Sequence, residues 1–256
     1  MAGCDALVWR GLVVRLREKR ERVLEHFKFQ GAESDVAIPS SDRRIEVGIG
    51  NIGLQGELTI PAHATGIVLF AHGSGSSRFS PRNQFVATEL NKAGLGTCLF
   101  DLLSLEEERD DQRSSRYRFD ISMLAQRLVA VTDWLKHHLQ VESELPLGYF
   151  GASTGAAAAL IAAAERPDWV KAVVSRGGRA DMATHSLGKV QAATLLLVGG
   201  EDDVVLTLNR KALQELPPEI PKELVVIEGA GHLFEEPGKL AQVAQYAAQW
   251  FERYLT

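Results

Sequence analysis

The sequence predicts an α/β fold, a mostly parallel sheet flanked by helices. Three observations predict it. From residue 43 onward, short apolar runs alternate with longer helical segments. Apolar runs of this kind suit strands covered on both faces, as in parallel sheets. The run at 147–150 leads through Gly151-Ala152-Ser153-Thr154-Gly155 into an alanine-rich stretch, 156–164. That is strand, sharp turn and helix in succession.

The elements follow in order. Residues 45–49 and 54–58 alternate around Gly50-Asn51 and read as an opening hairpin of half-buried strands. Further strands are expected at 67–71, 96–100, 147–150, 170–175, 194–198 and 224–227. Helices are expected at 82–92, 121–139, 154–164, 181–190, 206–216 and 237–254. Chemistry in such sheets gathers in the loops at the carboxyl ends of the strands. Residues 1–40 read differently, as a charged leader and linker ahead of a domain at 41–256. Val13, Val14, Leu16, Val23, Leu24 and Phe27 form a partial helical stripe there, expected to be an exposed or loosely docked helix. A dimer contact or a membrane-surface helix is the sharper alternative.

Composition narrows the function. The 256 residues are 45% hydrophobic and 24% charged, ordinary for a globular domain. A net charge of −5 argues against a general nucleic-acid binder. Two cysteines, Cys4 and Cys98, make neither a disulfide framework nor a metal quartet. No apolar run reaches the length of a membrane span, and the N-terminus lacks a convincing secretory signal. The expected location is the cytoplasm. A homodimer is compatible with the sequence.

Gly151 to Gly155 carries the chemistry. Small residues two before and two after Ser153 allow a tight turn that pushes the hydroxyl above the sheet. The Thr154 amide then lies at a helix N-terminus, where a developing oxyanion is stabilised. An ordinary tight turn or a phosphate-binding turn would look the same. A serine nucleophile needs a base, and the base an orienting carboxylate. Residues 194–198 run into Glu201-Asp202-Asp203, and residues 224–227 run into Gly231-His232. Of seven histidines, only His232 follows both the serine and the acid, in a glycine-flanked loop. His72, which ends a strand, is the competing base. Asp202 is the favoured acid and Asp203 the alternative. A second oxyanion amide is expected from the loop His72-Gly73-Ser74-Gly75, through Ser74. That loop could instead be an anion nest.

Together these motifs resemble the α/β-hydrolases, in particular the dienelactone-hydrolase-like group of small serine hydrolases and esterases. The resemblance spans about residues 43–256. It implies an eight-stranded sheet with the second strand antiparallel. It also implies Ser153 as nucleophile, His232 as base, Asp202 as its orienter, and the amides of Ser74 and Thr154 as the oxyanion hole. One departure stands out. Dienelactone hydrolases proper carry cysteine in the nucleophile turn, whereas this chain has Ser153. That favours a general carboxylic-ester hydrolase.

The stretch between Ser175 and Thr194 has room for one helix and two turns, so no cap domain is expected. The partial cover is expected to be the long charged loop at 102–119. Arg78, Arg109, Arg113, Arg116, Arg176 and Arg179 recur on the catalytic side. Arg78, Arg176 and Arg179 are the candidates for holding a substrate carboxylate or phosphate. A solvated charged rim is the plainer account. The function expected is cleavage of small or short-chain esters through an acyl-enzyme, with no metal or organic cofactor. Thioester, amide or peptide cleavage with the same triad stays open, as does a non-catalytic binding protein of the same fold.

Overall fold

The computed structural model of the protein describes residues 41–138 and 144–255. The leader at 1–40 lies outside the described residues, as does the last residue of the helix expected to reach 139. The strands are β1 (Ser41–Ile49), β2 (Ile52–Ile60), β3 (Ile67–Ala71), β4 (Gly96–Phe100), β5 (Leu147–Ala152), β6 (Val170–Arg176), β7 (Ala193–Gly199) and β8 (Lys222–Ile227). They form one sheet in the order β1-β2-β4-β3-β5-β6-β7-β8. β2 runs antiparallel to both neighbours, and every pairing from β4 to β8 is parallel.

Burial follows sequence pattern. β3, β4, β5 and β7 are buried at every position, because helices cover both faces. β2 alternates, with Leu54 and Leu58 turned inward. The helices are α1 (Pro81–Lys92), α2 (Leu105–Ser114), α3 (Ile121–His138), α4 (Thr154–Glu165), α5 (Thr184–Leu187), α6 (Asp203–Glu215) and α7 (Lys239–Tyr254). α3 and α4 pack on one face; α1 and α7 pack on the other. Alanines 156–159, 162 and 163 are all buried, so α4 lies very close to the sheet.

The two glycines flanking Ser153 explain how close. A Cβ on Gly151 would sit 2.4 Å from Ala156 Cα, and one on Gly155 would sit 2.1 Å from Ala71 O. No L side chain fits either place. Two polar contacts tie the layers together. Tyr149 Oη and Thr132 Oγ1 are 2.6 Å apart, and Trp250 Nε1 donates to Ala193 O at 3.1 Å.

Two expectations change. The charged stretch at 102–119 is not a plain loop, because α2 occupies its middle. α2 has no apolar stripe, so periodicity could not find it. Its signal is a capping box: Ser104 Oγ accepts from the Glu107 amide while Glu107 reaches back to the Ser104 amide. Tertiary pairing completes it. Arg127 donates twice to Glu107, at 2.6 and 2.5 Å, and the buried Asp111 binds the amides of Tyr117 and Arg118. The helix expected at 181–190 is a 3-10 turn, Ala180–Ala183, followed by the single-turn α5. Nothing larger lies between β6 and β7, so no cap domain is inserted between these strands.

Candidate active site

The strand ends converge on one edge of the sheet. Ser153 follows β5 with φ 51° and ψ −120°, outside the ordinary regions for a residue with a side chain. Its amide donates to Arg176 O and its carbonyl accepts from the Ala156 and Arg179 amides, which pin the turn. This strained turn is the sharp strand-to-helix elbow that exposes a serine hydroxyl.

Asp202 follows β7 and His232 follows β8. His232 Nδ1 and Asp202 Oδ2 are 2.6 Å apart. Asp203 instead opens α6 and is exposed, where its charge meets the positive helix end. Geometry therefore separates the two carboxylates that sequence left open. Glycines let the loops meet. A Cβ on Gly199 would lie 2.3 Å from Ala230 O, and one on Gly177 (φ 53°) would lie 3.4 Å from His232 Nδ1. Behind the histidine, Gly231 N–H donates to Glu236 Oε1 at 3.0 Å, which closes the loop.

Ser153 and His232 line the same cavity, of about 260 Å3. No hydrogen bond joins their side chains in this state. Such contacts are often long before substrate binds. His72 is not placed as a base. Leu102 N–H donates to its Nε2 at 3.0 Å, and its Nδ1 lies 3.0 Å from Gly73 O. Both ring nitrogens are occupied, and burial pushes the imidazole below its usual range. The residue braces the loops after β3 and β4.

The oxyanion expectation is half altered. The Thr154 amide has no hydrogen-bond partner among the described residues, as expected at a helix start. The Ser74 amide is not free. It donates to Thr154 Oγ1 at 2.9 Å. Sequence could not show this, because it depends on how closely the β3 loop approaches the elbow. A Cβ on Gly73 would lie 3.2 Å from Ser153 Cβ.

The three candidate arginines separate as well. Arg78 pairs with Asp101 and lies 4.1 Å over the Phe79 ring. Arg179 makes two hydrogen bonds to Asp181, at 2.9 and 2.8 Å. Each of these guanidiniums already faces a carboxylate. Arg176 lines the cavity beside Ser153, and Arg82, read from sequence only as the start of a helix, joins it there.

A dienelactone hydrolase from Anabaena variabilis is 56% identical, superposes with a TM-score of 0.82, and covers 85% of this chain and 99% of its own. The chain belongs to the dienelactone hydrolase family. Est1E from Butyrivibrio proteoclasticus shares the fold at 15% identity, with a TM-score of 0.69 over 82% of this chain and 98% of its own. Two Mycobacterium tuberculosis proteins carrying the provisional name phosphoribosyl transferase are 54% identical over 217 residues. That match takes in 85% of this chain but 47% of theirs, so the chain spans about half the length of these curated relatives. No family model matches the chain. No helix among the described residues is long and apolar enough to cross a membrane.

Proposed function

We propose that residues 41–256 form a serine hydrolase domain that cleaves small or short-chain carboxylic esters through an acyl-enzyme on Ser153. The observation that carries the reading is the Asp202–His232 hydrogen bond on a loop facing the same cavity as the strained Ser153 turn. His232 takes the proton from Ser153 as the oxygen attacks the ester carbonyl. The Thr154 amide receives the developing oxyanion. The histidine returns the proton to the leaving alcohol, and water activated by His232 then releases the acid. Asp202 holds the imidazole tautomer and stabilises its cation.

The small cavity and the missing cap support a short acyl group. The transferase name belongs to mycobacterial relatives of which this chain spans only about half. A fluorophosphonate probe tests the reading. Labelling is expected in the native chain and not in Ser153→Ala; an unlabelled native chain would falsify the nucleophile. A series of p-nitrophenyl esters then tests size, with acetate and butyrate expected to outpace long-chain esters.

A further inference from the structure

Arg176 is a buried cation without an anion. It is 7% exposed, and its Nε and Nη1 are sealed from solvent with no hydrogen bond. No carboxylate among the described residues pairs with it. The other arginines with buried or half-buried side chains are matched: Arg78 with Asp101, Arg118 with Asp111, Arg127 with Glu107, Arg166 with Asp133 and Arg179 with Asp181. An uncompensated buried charge is strongly disfavoured, so a fold that keeps one has a use for it. Burial and the neighbouring Arg82 push the Arg176 guanidinium down to about 10, which leaves it charged at neutral pH.

The surroundings suit a doubly charged group. Arg82 has only one carboxylate, the exposed Glu235 at 2.7 Å, and its Nε is buried without a partner. α1 begins beside both arginines with no acidic residue in its first turn; Pro81 has no N–H and Ser80 Oγ accepts from the Asn83 amide, so the helix contributes its dipole more than free donors. The wall they share contains no Asp or Glu, and the hydroxyl residues Ser76 and Ser80 complete it. Arg176 is also adjacent to the reacting serine, since its carbonyl accepts the Ser153 amide at 3.2 Å. An anion bound there would therefore lie beside Ser153, in the same cavity.

We propose that this corner is a phosphate subsite, and that the ester substrate carries a phosphate monoester held by Arg176 and Arg82 at the start of α1. Two guanidiniums and a helix end match a dianion with three terminal oxygens better than a single planar carboxylate. The inference rests on the serine-hydrolase reading above.

Inorganic phosphate, titrated by calorimetry into the full chain carrying Ser153→Ala, tests it. Saturable binding is expected, tightening as pH rises from about 6 to about 8 while the dianion takes over. Arg176→Gln in that background should weaken binding at least ~10-fold, the range of losing a charged hydrogen-bonding partner. In the native chain, phosphate should slow fluorophosphonate labelling and acetate at equal concentration should not. This arm needs no variant. Arg176→Met should raise Tm without phosphate, because no partner is lost. Absent binding, acetate binding as tightly as phosphate, undiminished binding in Arg176→Gln, or a lowered Tm in Arg176→Met would each overturn the subsite. Labelling of Ser153 separates the failures. A chain that labels but ignores phosphate is a hydrolase without this subsite. A chain that does not label loses the hydrolase reading, and the substrate class falls with it.

Discussion

The Ser74 amide donates to the Thr154 hydroxyl at 2.9 Å, across 80 residues of chain. The bond clamps the loop after β3 onto the elbow that carries Ser153. It also occupies one of the two amides expected to face an oxyanion.

Thr154→Val tests that clamp. Valine keeps the shape and removes the acceptor, so the Ser74 amide is left unpaired at a cost of about 1–3 kcal/mol. On a short p-nitrophenyl ester, kcat/KM is expected to fall roughly tenfold, less than for a lost direct oxyanion donor. Thr154→Ser should recover most of the loss. Valine with native kinetics would remove the hydroxyl from the oxyanion machinery.

The two adjacent aspartates should behave very differently. Asp202→Asn keeps the size but favours the wrong histidine tautomer, and a fall in kcat of about 10^4 is expected. Asp203→Asn touches only an exposed helix start, with a stability change of about 0.5 kcal/mol and ordinary turnover. Steady-state kinetics of the pair decide the acid. Comparable losses in both would contradict the geometry.

Gly155 should tolerate nothing larger. An alanine Cβ would lie 2.1 Å from Ala71 O and 2.4 Å from His72 O, so backbone must move. Gly155→Ala is expected to lose more than ~3 kcal/mol or to misfold, beyond an ordinary overpacking cost. Gly188→Ala, where a Cβ meets nothing within 4 Å, is the control. Denaturant melts of the two should differ sharply.

His72 gives the stability a pH dependence. Burial lowers its folded pKa, while hydrogen bonding to Gly73 and the charges of Asp101 and Glu108 offset this only in part. Below the ordinary value of 6.5 the unfolded chain takes up a proton that the folded chain refuses. Stability is therefore full above that pH and is lost as pH falls toward the folded pKa. Thermal melts from pH 7 to pH 5 should decline, and His72→Gln should flatten that part of the curve. An unchanged slope in the variant would assign the decline to other groups.

Much of the fold was legible because its signals are local. β3 and β4 fall at their expected bounds, since short apolar runs closed by glycine or polar residues leave little freedom. The other strands and most helices differ by a few residues at their ends, where fraying and capping decide. α2 was not legible by periodicity because charge pairs, rather than an apolar face, hold it. Arg127 lies 20 residues from Glu107 in sequence, yet their side chains meet. The capping box at Ser104 and Glu107 was the readable sign.

The sequence by itself determined the strand order of chemistry: a serine at a glycine-flanked elbow after β5, an acidic cluster after β7 and a histidine after β8. These are short-range facts of residue type and spacing. Tertiary structure alone decided which carboxylate meets His232, that the Ser74 amide is taken by Thr154, and which arginine is left without an anion. Each of these is a choice among partners far apart in the chain. Hydrogen bonds and ion pairs act over a few ångströms, so the choice is made only when the sheet brings the strand ends together.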